Sequence, residues 1–280
     1  MRNSLIITGG TGFIGSSFIR KLTKEKSNDE IILVGEENKR TANNLEQINI
    51  DQLGGQLAKI KNNKVSVFHF ATFYSKKNED KESIFEANIN FGKSLLDILD
   101  KTKVKKFLYT NTMFAFNELE SNHYYTKTKI EFSNILKDYF KNSKSLYSEV
   151  FLDNTFGVED RRNKIVSQIV SSILRNDDNP VLDKEIYINL SYVEDILNCF
   201  IKEYENNENG KTRITSKLDV RLYSLYKFLQ KYHQEGLVDR NSLEIRDSEH
   251  LLNRELPSLN QNFNESDIFE NLAKVMDRAS

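Results

Sequence analysis

At 280 residues, with 40 Lys+Arg against 41 Asp+Glu and a formal net charge of -1, the chain has no basic footprint for nucleic acid. A single cysteine, Cys199, excludes an internal disulfide and a cysteine-built metal site, and fits a reducing compartment. No apolar run approaches the ~20 residues of a membrane span, and Met1-Arg2-Asn3 leads straight into a strand pattern rather than a signal peptide. The expectation is a cytoplasmic protein without nucleic-acid or membrane partners, long enough for one large domain with a smaller lobe or for two ordinary domains.

In chain order, Leu5-Ile6-Ile7 reads as a buried parallel strand and Ser16–Leu22 as a helix, with Thr8-Gly9-Gly10-Thr11-Gly12-Phe13-Ile14-Gly15 between them. Glycines on a strand-to-helix turn are the context of a dinucleotide fingerprint. The pyrophosphate would lie on the N–H groups at the helix start, helped by the macrodipole. Candidate cofactor residues here are Gly9, Thr11, Gly12, Phe13, Ile14 and Gly15. A side chain at Gly9 or Gly12 would hold the phosphate off, and Gly15 lets helix and strand approach.

Glu30–Val34 reads as the second parallel strand, ending at Gly35-Glu36-Glu37-Asn38-Lys39-Arg40. A carboxylate at this end would hold the ribose hydroxyls of NAD, and a basic residue the 2′-phosphate of NADP. Glu36 argues for NAD, Lys39 and Arg40 for NADP; both stay open, with a slight lean to NADPH. Val65–Thr72 is a strand running into small residues, and its His69, with no His or Cys near it in sequence, reads as structural. Apolar residues at helical spacing mark a helix over 81–100, and Lys101–Lys106 reads as its solvated basic end. A strand over Lys106–Thr112 and a helix from Tyr124 to Phe140 follow. Cys199 shares an apolar helical face with Ile196 and Phe200 and reads as packing.

Tyr125-Thr126-Lys127-Thr128-Lys129 stacks a phenol and an amine one above the other on one helix face. A phenol of pKa ~10 that exchanges a proton with an alcohol or ketone near pH 7 faces a mismatch of ~3 units, or ~4 kcal/mol. An ammonium ~4 Å away at an effective dielectric of ~20 supplies ~4 kcal/mol toward the phenolate. Tyr124 and Thr128 form a parallel pair with no cation in register, so Tyr125 is the better candidate.

With Thr8 leading Gly-x-x-Gly-x-x-Gly and Tyr-x-x-x-Lys following, the chain resembles the extended short-chain dehydrogenase/reductases of the NAD-dependent epimerase/dehydratase superfamily. The resemblance implies an α/β fold: a Rossmann doubly wound parallel sheet over residues 1–152, with segments near 186–216 returning to it. A small substrate lobe would be built mainly from 153–280. It implies that Asp51 contacts the adenine and that Phe70, Ala71 and Thr72 pass their backbone under the cofactor. Asn88, in Asn88-Ile89-Asn90, matches the family's Asn-Val-x-Gly helix, with Phe91 where Gly is usual. Thr112 would be the third catalytic residue, polarising the substrate oxygen beside Tyr125 and Lys129. Thr110 is its runner-up and a further cofactor residue.

The same resemblance separates reactions. Sugar-nucleotide 4,6-dehydratases carry Asp-Glu directly after the Thr, and GDP-fucose synthase-type enzymes a Cys two residues on. Here Met113 and Phe114 stand there and transfer no protons. Together with Tyr74, this resembles 4-ketoreductases of the CDP-abequose synthase type, acting on a nucleotide-diphosphate sugar in bacterial surface-polysaccharide synthesis. A 4-epimerase with tightly bound NAD, or a non-catalytic redox sensor, are the alternatives. Substrate residues implied are Tyr74, Thr112, Met113, Phe114, Asn154, Arg161 and Arg246, with Arg162 and Lys164 as further cations. Phe151 and Ile188 stand where arginines are usual. Asp195 reads as a helix-start acid. A homodimer through helices near 83–100 and 125–141 is also implied, and no metal is.

Overall fold

The strand predicted at Leu5–Ile7 is β1 (Ser4–Thr8), buried along its whole length, as a strand covered on both faces must be. The computed structural model describes residues 4–25, 29–36, 45–60, 64–75, 77–100, 103–116, 120–177, 185–248, 260–263 and 266–279. Lys39 and Arg40 therefore lie outside the described residues. β1 pairs in parallel with β2 (Glu30–Val34) on one side and β3 (Val65–His69) on the other, and β3 in parallel with β4 (Val104–Thr112). With β5 (Leu146–Leu152) the order is β2-β1-β3-β4-β5. Helices α1 (Phe13–Lys24), α2 (Ile50–Lys59), α3 (Lys81–Phe85), α4 (Phe91–Ile98) and α5 (Tyr124–Phe140) connect these strands. The architecture is a Rossmann-type parallel sheet flanked by helices. The strand order reverses between β1 and β3, the switch point where such sheets take ligands at their strands' carboxyl ends.

The chain divides into two compact units, Met1–Phe151 with Phe200–Thr212, and Leu152–Cys199 with Arg213–Ser280. The first unit's core joins Ile6, Val67, Leu95, Phe107, Phe132 and Leu136. The second contains β6 (Asn154–Phe156), α6 (Ile165–Leu174) and β7 (Tyr187–Tyr192). Further on, α7 (Val193–Glu205) and β8 (Gly210–Thr215) each cross the division; β9 (Leu218–Arg221), α8 (Leu222–Glu235), β10 (Ile245–Asp247) and α9 (Ile268–Ala279) follow. β6 runs parallel to β7; β7–β9 and β9–β10 are antiparallel. Within this unit buried Asn189 accepts from Ser216 N–H and the Thr215 hydroxyl and lies within bonding distance of Asp219. Arg213 pairs with Asp153, both buried.

Two sequence expectations change. The helix predicted over 81–100 is three pieces: α3, a wide π turn over Glu86–Asn90, and α4. The basic run before β4 is only in part a solvated end. Lys106 is buried on β4 and its ammonium donates to the carbonyls of Glu203, Asn206 (2.8 Å) and Glu208 (3.0 Å), capping the carboxyl end of α7. The pattern Val104-Lys105-Lys106 alternates in and out as a strand, so composition pointed to solvent while strand parity pointed inward. Cys199 is buried, and Asp195 lies in the first turn of α7, accepting from the Ser266 hydroxyl. No helix among the described residues is long and apolar enough to cross a membrane.

His69, at the end of β3, is buried among Phe91, Phe107, Tyr109 and Phe132, with Nδ1 2.9 Å from Thr8 Oγ1. Burial, aided by the charge of Lys129, lowers its pKa to about 3. The folded chain keeps the ring neutral while the unfolded chain protonates it below pH ~6.5, so this stability is present above pH ~6.5 and lost as pH falls toward 3. A loss of about 2 kcal/mol from this residue is expected between pH 7 and pH 5. Urea midpoints at the two pH values measure it, and His69→Phe should show the smaller difference.

Candidate active site

The carboxyl ends of β1, β3 and β4 lie side by side, and at ~4.8 Å per strand the edge from β1 to β4 is about 10 Å wide. Gly9, directly after β1, has φ +69°, and a Cβ there would stand 2.6 Å from the Ala71 nitrogen. A Cβ on Gly15 would lie 2.2 Å from the Gly9 carbonyl oxygen. Gly15 thus allows α1 to close on the loop itself rather than on a strand, and Gly12, at 3.2 Å from that same oxygen, is the least confined. Gly12 is the N-cap of α1 and brings no side chain over the first turn. Thr11 is exposed, and Phe13 and Ile14 are half-buried at the helix start.

After β3 the chain is pinned. The Phe70 ring packs edge-on against Phe18 and Phe200, so its part in the edge is backbone. Ala71 N–H donates to Thr8 Oγ1 at 3.2 Å. Asn88, on the π turn, accepts from the Thr72 hydroxyl (3.0 Å) and Phe73 N–H (2.8 Å) and donates to Phe73 O (3.2 Å) and Thr128 Oγ1 (3.0 Å). Thr128 in turn donates to the Tyr125 carbonyl at 2.7 Å. With its amide engaged by four bonds, Asn88 holds Thr72 and Phe73 against α5.

Lys129 is buried, its Nζ 4.2 Å from the centroid of the Tyr109 ring. Burial lowers its pKa to about 7 against the raising effect of Glu149. Tyr125 is half-buried with Tyr74 edge-on at 4.8 Å, and Phe114 stands 6.5 Å from Tyr74. The Tyr-x-x-x-Lys pair is therefore no solvated helix face. Tyr124 carries Lys81 over its ring at 5.7 Å, away from this pair. Thr112 is buried at the end of β4 and accepts from Phe114 N–H at 3.3 Å. Thr110 shares its strand face, and its buried hydroxyl has no partner among the described residues. Met113 is buried in the short turn that follows.

A dinucleotide fits this edge on two observations. The glycine cradle would be filled by a Cβ, and an unpartnered hydroxyl waits beside Thr112. At the end of β2, Glu36 is exposed. Gly35 is covered by Gln47, whose Oε1 lies 2.7 Å from where a Cβ would stand. Asp51 is an exposed acid in the first turn of α2, and the side chain at the turn itself is Asn49, which caps that helix. Among the described residues no group of three or more His, Cys, Asp or Glu could hold a metal.

The NAD dependent epimerase/dehydratase family matches residues 5–215. The chain belongs to that family. Relatives of this family member include CDP-abequose synthases of Salmonella typhimurium, 23% identical over 265 residues (89% of this chain, 88% of the relative), and of Salmonella muenchen, 20% identical over 261 residues (89% and 87%). The fold is shared with the UDP-glucose 4-epimerase of Thermotoga maritima, solved with UDP-glucose, at a TM-score of 0.75 and 18% identity over 98% of each chain.

In the second unit the expected substrate residues stand as follows. Asn154 donates to the Asn189 carbonyl at 3.2 Å, and Arg161 is exposed. Arg162 is committed locally, gripping Asp160 through two nitrogens and donating to Thr155. Arg246 stacks its guanidinium 4.0 Å over the Tyr187 ring; Ile188, where an arginine is usual, faces the opposite side of β7. Phe151, in the other such position, packs on Phe116 in the first unit. Sequence reasoning missed Gln47, Thr128 and Tyr109. Each is an ordinary residue whose part comes from a contact made far along the chain.

A lysine whose folded pKa is depressed from ~10.5 to about 7 lowers stability at neutral pH and does so less as pH rises through that interval. Lys129→Met is expected to raise the urea midpoint at pH 7 and to flatten its rise between pH 7 and 10. A chemical denaturation series across that range tests it.

Proposed function

We propose that this family member is a nicotinamide-dependent reductase of a nucleotide-linked 4-keto-6-deoxyhexose, a CDP- or dTDP-sugar. The observation that carries the reading is a buried amine one helical turn from a half-buried phenol, with no proton-transferring side chain at Met113 or Phe114 after Thr112. Such a set exchanges a proton at a single carbinol oxygen; it has no second acid or base for expelling water or for deprotonation beside a ketone. The full-length likeness to two CDP-abequose synthases supports the substrate class.

A bound nicotinamide supplies the hydride. Tyr125 gives its phenolic proton to the carbonyl oxygen as that oxygen becomes negative. Thr112 holds the same oxygen by a hydrogen bond, and Tyr74, itself backed by Phe114, lays aromatic surface against Tyr125. Lys129, with a pKa of about 7, is poised between charged and neutral at working pH, so its ammonium pulls the phenol toward ionisation. Gly9, Thr11, Gly12, Phe13, Ile14 and Gly15 would carry the pyrophosphate, and Ala71, Thr72 and Thr110 would line the nicotinamide side. Asn154, Arg161 and Arg246 remain the residues proposed for the sugar nucleotide; a guanidinium is the natural partner of its phosphate oxygens.

The test is incubation with NADPH or NADH and CDP- or dTDP-linked 4-keto-6-deoxy sugars, following nicotinamide absorbance. Tyr125→Phe is expected to slow turnover by about 10²-fold or more while cofactor binding is retained. No oxidation of either nicotinamide, or full activity in Tyr125→Phe, overturns the reading. Protein that purifies with bound NAD and interconverts sugar epimers with none added would instead be a 4-epimerase.

A further inference from the structure

We propose that Glu149 is a positioning residue of this site, fixing Thr112 through Asn111 and setting the electrostatic surroundings of Lys129. Glu149 lies in the middle of β5 with its side chain wholly buried. One carboxylate oxygen accepts from Asn111 Nδ2 at 2.7 Å, and Oδ1 of the same Asn111 side chain accepts from Thr112 N–H at 2.8 Å. The other oxygen is 3.1 Å from the Lys211 ammonium, whose own side chain is 40% exposed. The relay therefore runs Lys211, Glu149, Asn111, Thr112, and ends on the residue proposed to hold the substrate oxygen.

A buried carboxylate with one half-solvated cation is poorly compensated, and an apolar pair in its place is often more stable. Retention of a charge in this position fits an electrostatic task better than a packing one. The groups around Lys129 are Tyr125 on its own helix, Tyr109 from β4, neutral His69 from β3 and Glu149 from β5. Around Glu149 itself stand Tyr109, Tyr147 and Lys211. Tyr109 and Asn111 share one face of β4, so the carboxylate bound by Asn111 lies on the side where the Tyr109 ring carries Lys129, and its charge raises the lysine's pKa against burial. Removing it shifts Lys129 toward the neutral amine, which exerts no pull on the phenol.

The proposal rests on the reductase reading of Thr112, Tyr125 and Lys129, so its primary measurement avoids turnover. In the cofactor-free protein, isotope-labelled lysine NMR, with the Lys129 signal assigned by Lys129→Arg, reads the protonation midpoint directly. Glu149→Gln keeps an acceptor for Asn111 and removes the charge; the midpoint should fall by about one unit. Lys211→Met removes the competing cation at a partly exposed position, and the midpoint should rise. In turnover, Glu149→Gln should lower kcat roughly tenfold and move the alkaline limb of the pH profile down with the NMR midpoint, leaving the KM for cofactor near its original value. If Glu149→Gln does not fold, Lys211→Met carries the test alone. A Lys129 midpoint unmoved in the variants that fold overturns the proposal. Absence of turnover in the unmodified protein overturns the reductase reading instead, and leaves the NMR result standing.

Discussion

The amide of Asn88 ties the segment after β3 to Thr128 on α5, a residue 40 positions further along the chain than Asn88 itself. One end of it holds Thr72 and Phe73, the continuation of the strand that Gly9 packs against; the other holds Thr128, which holds the carbonyl of Tyr125. Each of these bonds is worth only about 1 kcal/mol net. Their joint effect is geometric: the glycine corner, the floor beneath it and the phenol share one frame. The proposed reduction would need this, since hydride must reach a carbonyl carbon and the proton its oxygen in one arrangement.

The same edge concentrates what a stable fold would avoid. Lys129 is an ammonium in an aromatic surround and Thr110 a hydroxyl without a partner among the described residues. Buried polar groups of this kind cost stability, and their clustering at the carboxyl ends of β4 and its neighbours marks where chemistry takes precedence over packing. Away from this edge the strategy reverses. Lys106, on the same strand, has every ammonium proton matched to a carbonyl. Two buried lysines, one on β4 and one on the helix that follows it, thus differ in purpose and are told apart by their partners.

Much of this was legible from residue order. The glycine corner, the parallel strands and α5 follow from apolar periodicity and from the turn chemistry that only glycine at positive φ allows. Tyr125 and Lys129 follow from helical spacing. What periodicity could not give was contact between distant segments. Asn88 reads as one more polar residue in a helix pattern until Thr72 and Thr128 are seen beside it. Lys106 belongs to a basic run whose composition argues for solvent, and strand parity alone reverses the assignment. Gln47 fills the space over Gly35, a contact between two segments that residue order does not show. Asp51 stands in a helix's first turn, where an acid also suits the macrodipole.

The wide turn over Glu86–Asn90 carries a consequence for how this chain tolerates change in length. A π turn holds one residue beyond what α-helical bonding needs. Deleting a residue there would leave an intact, regular helix with its apolar side simply re-indexed. The helical stretches on either side would keep their mutual orientation, because the widened turn absorbs the extra residue, and the side chains of the turn itself would change direction. The loss most innocuous for folding would therefore re-aim Asn88 and undo its hold on Thr72 and Thr128, so the widened turn serves to present that amide rather than to add stability.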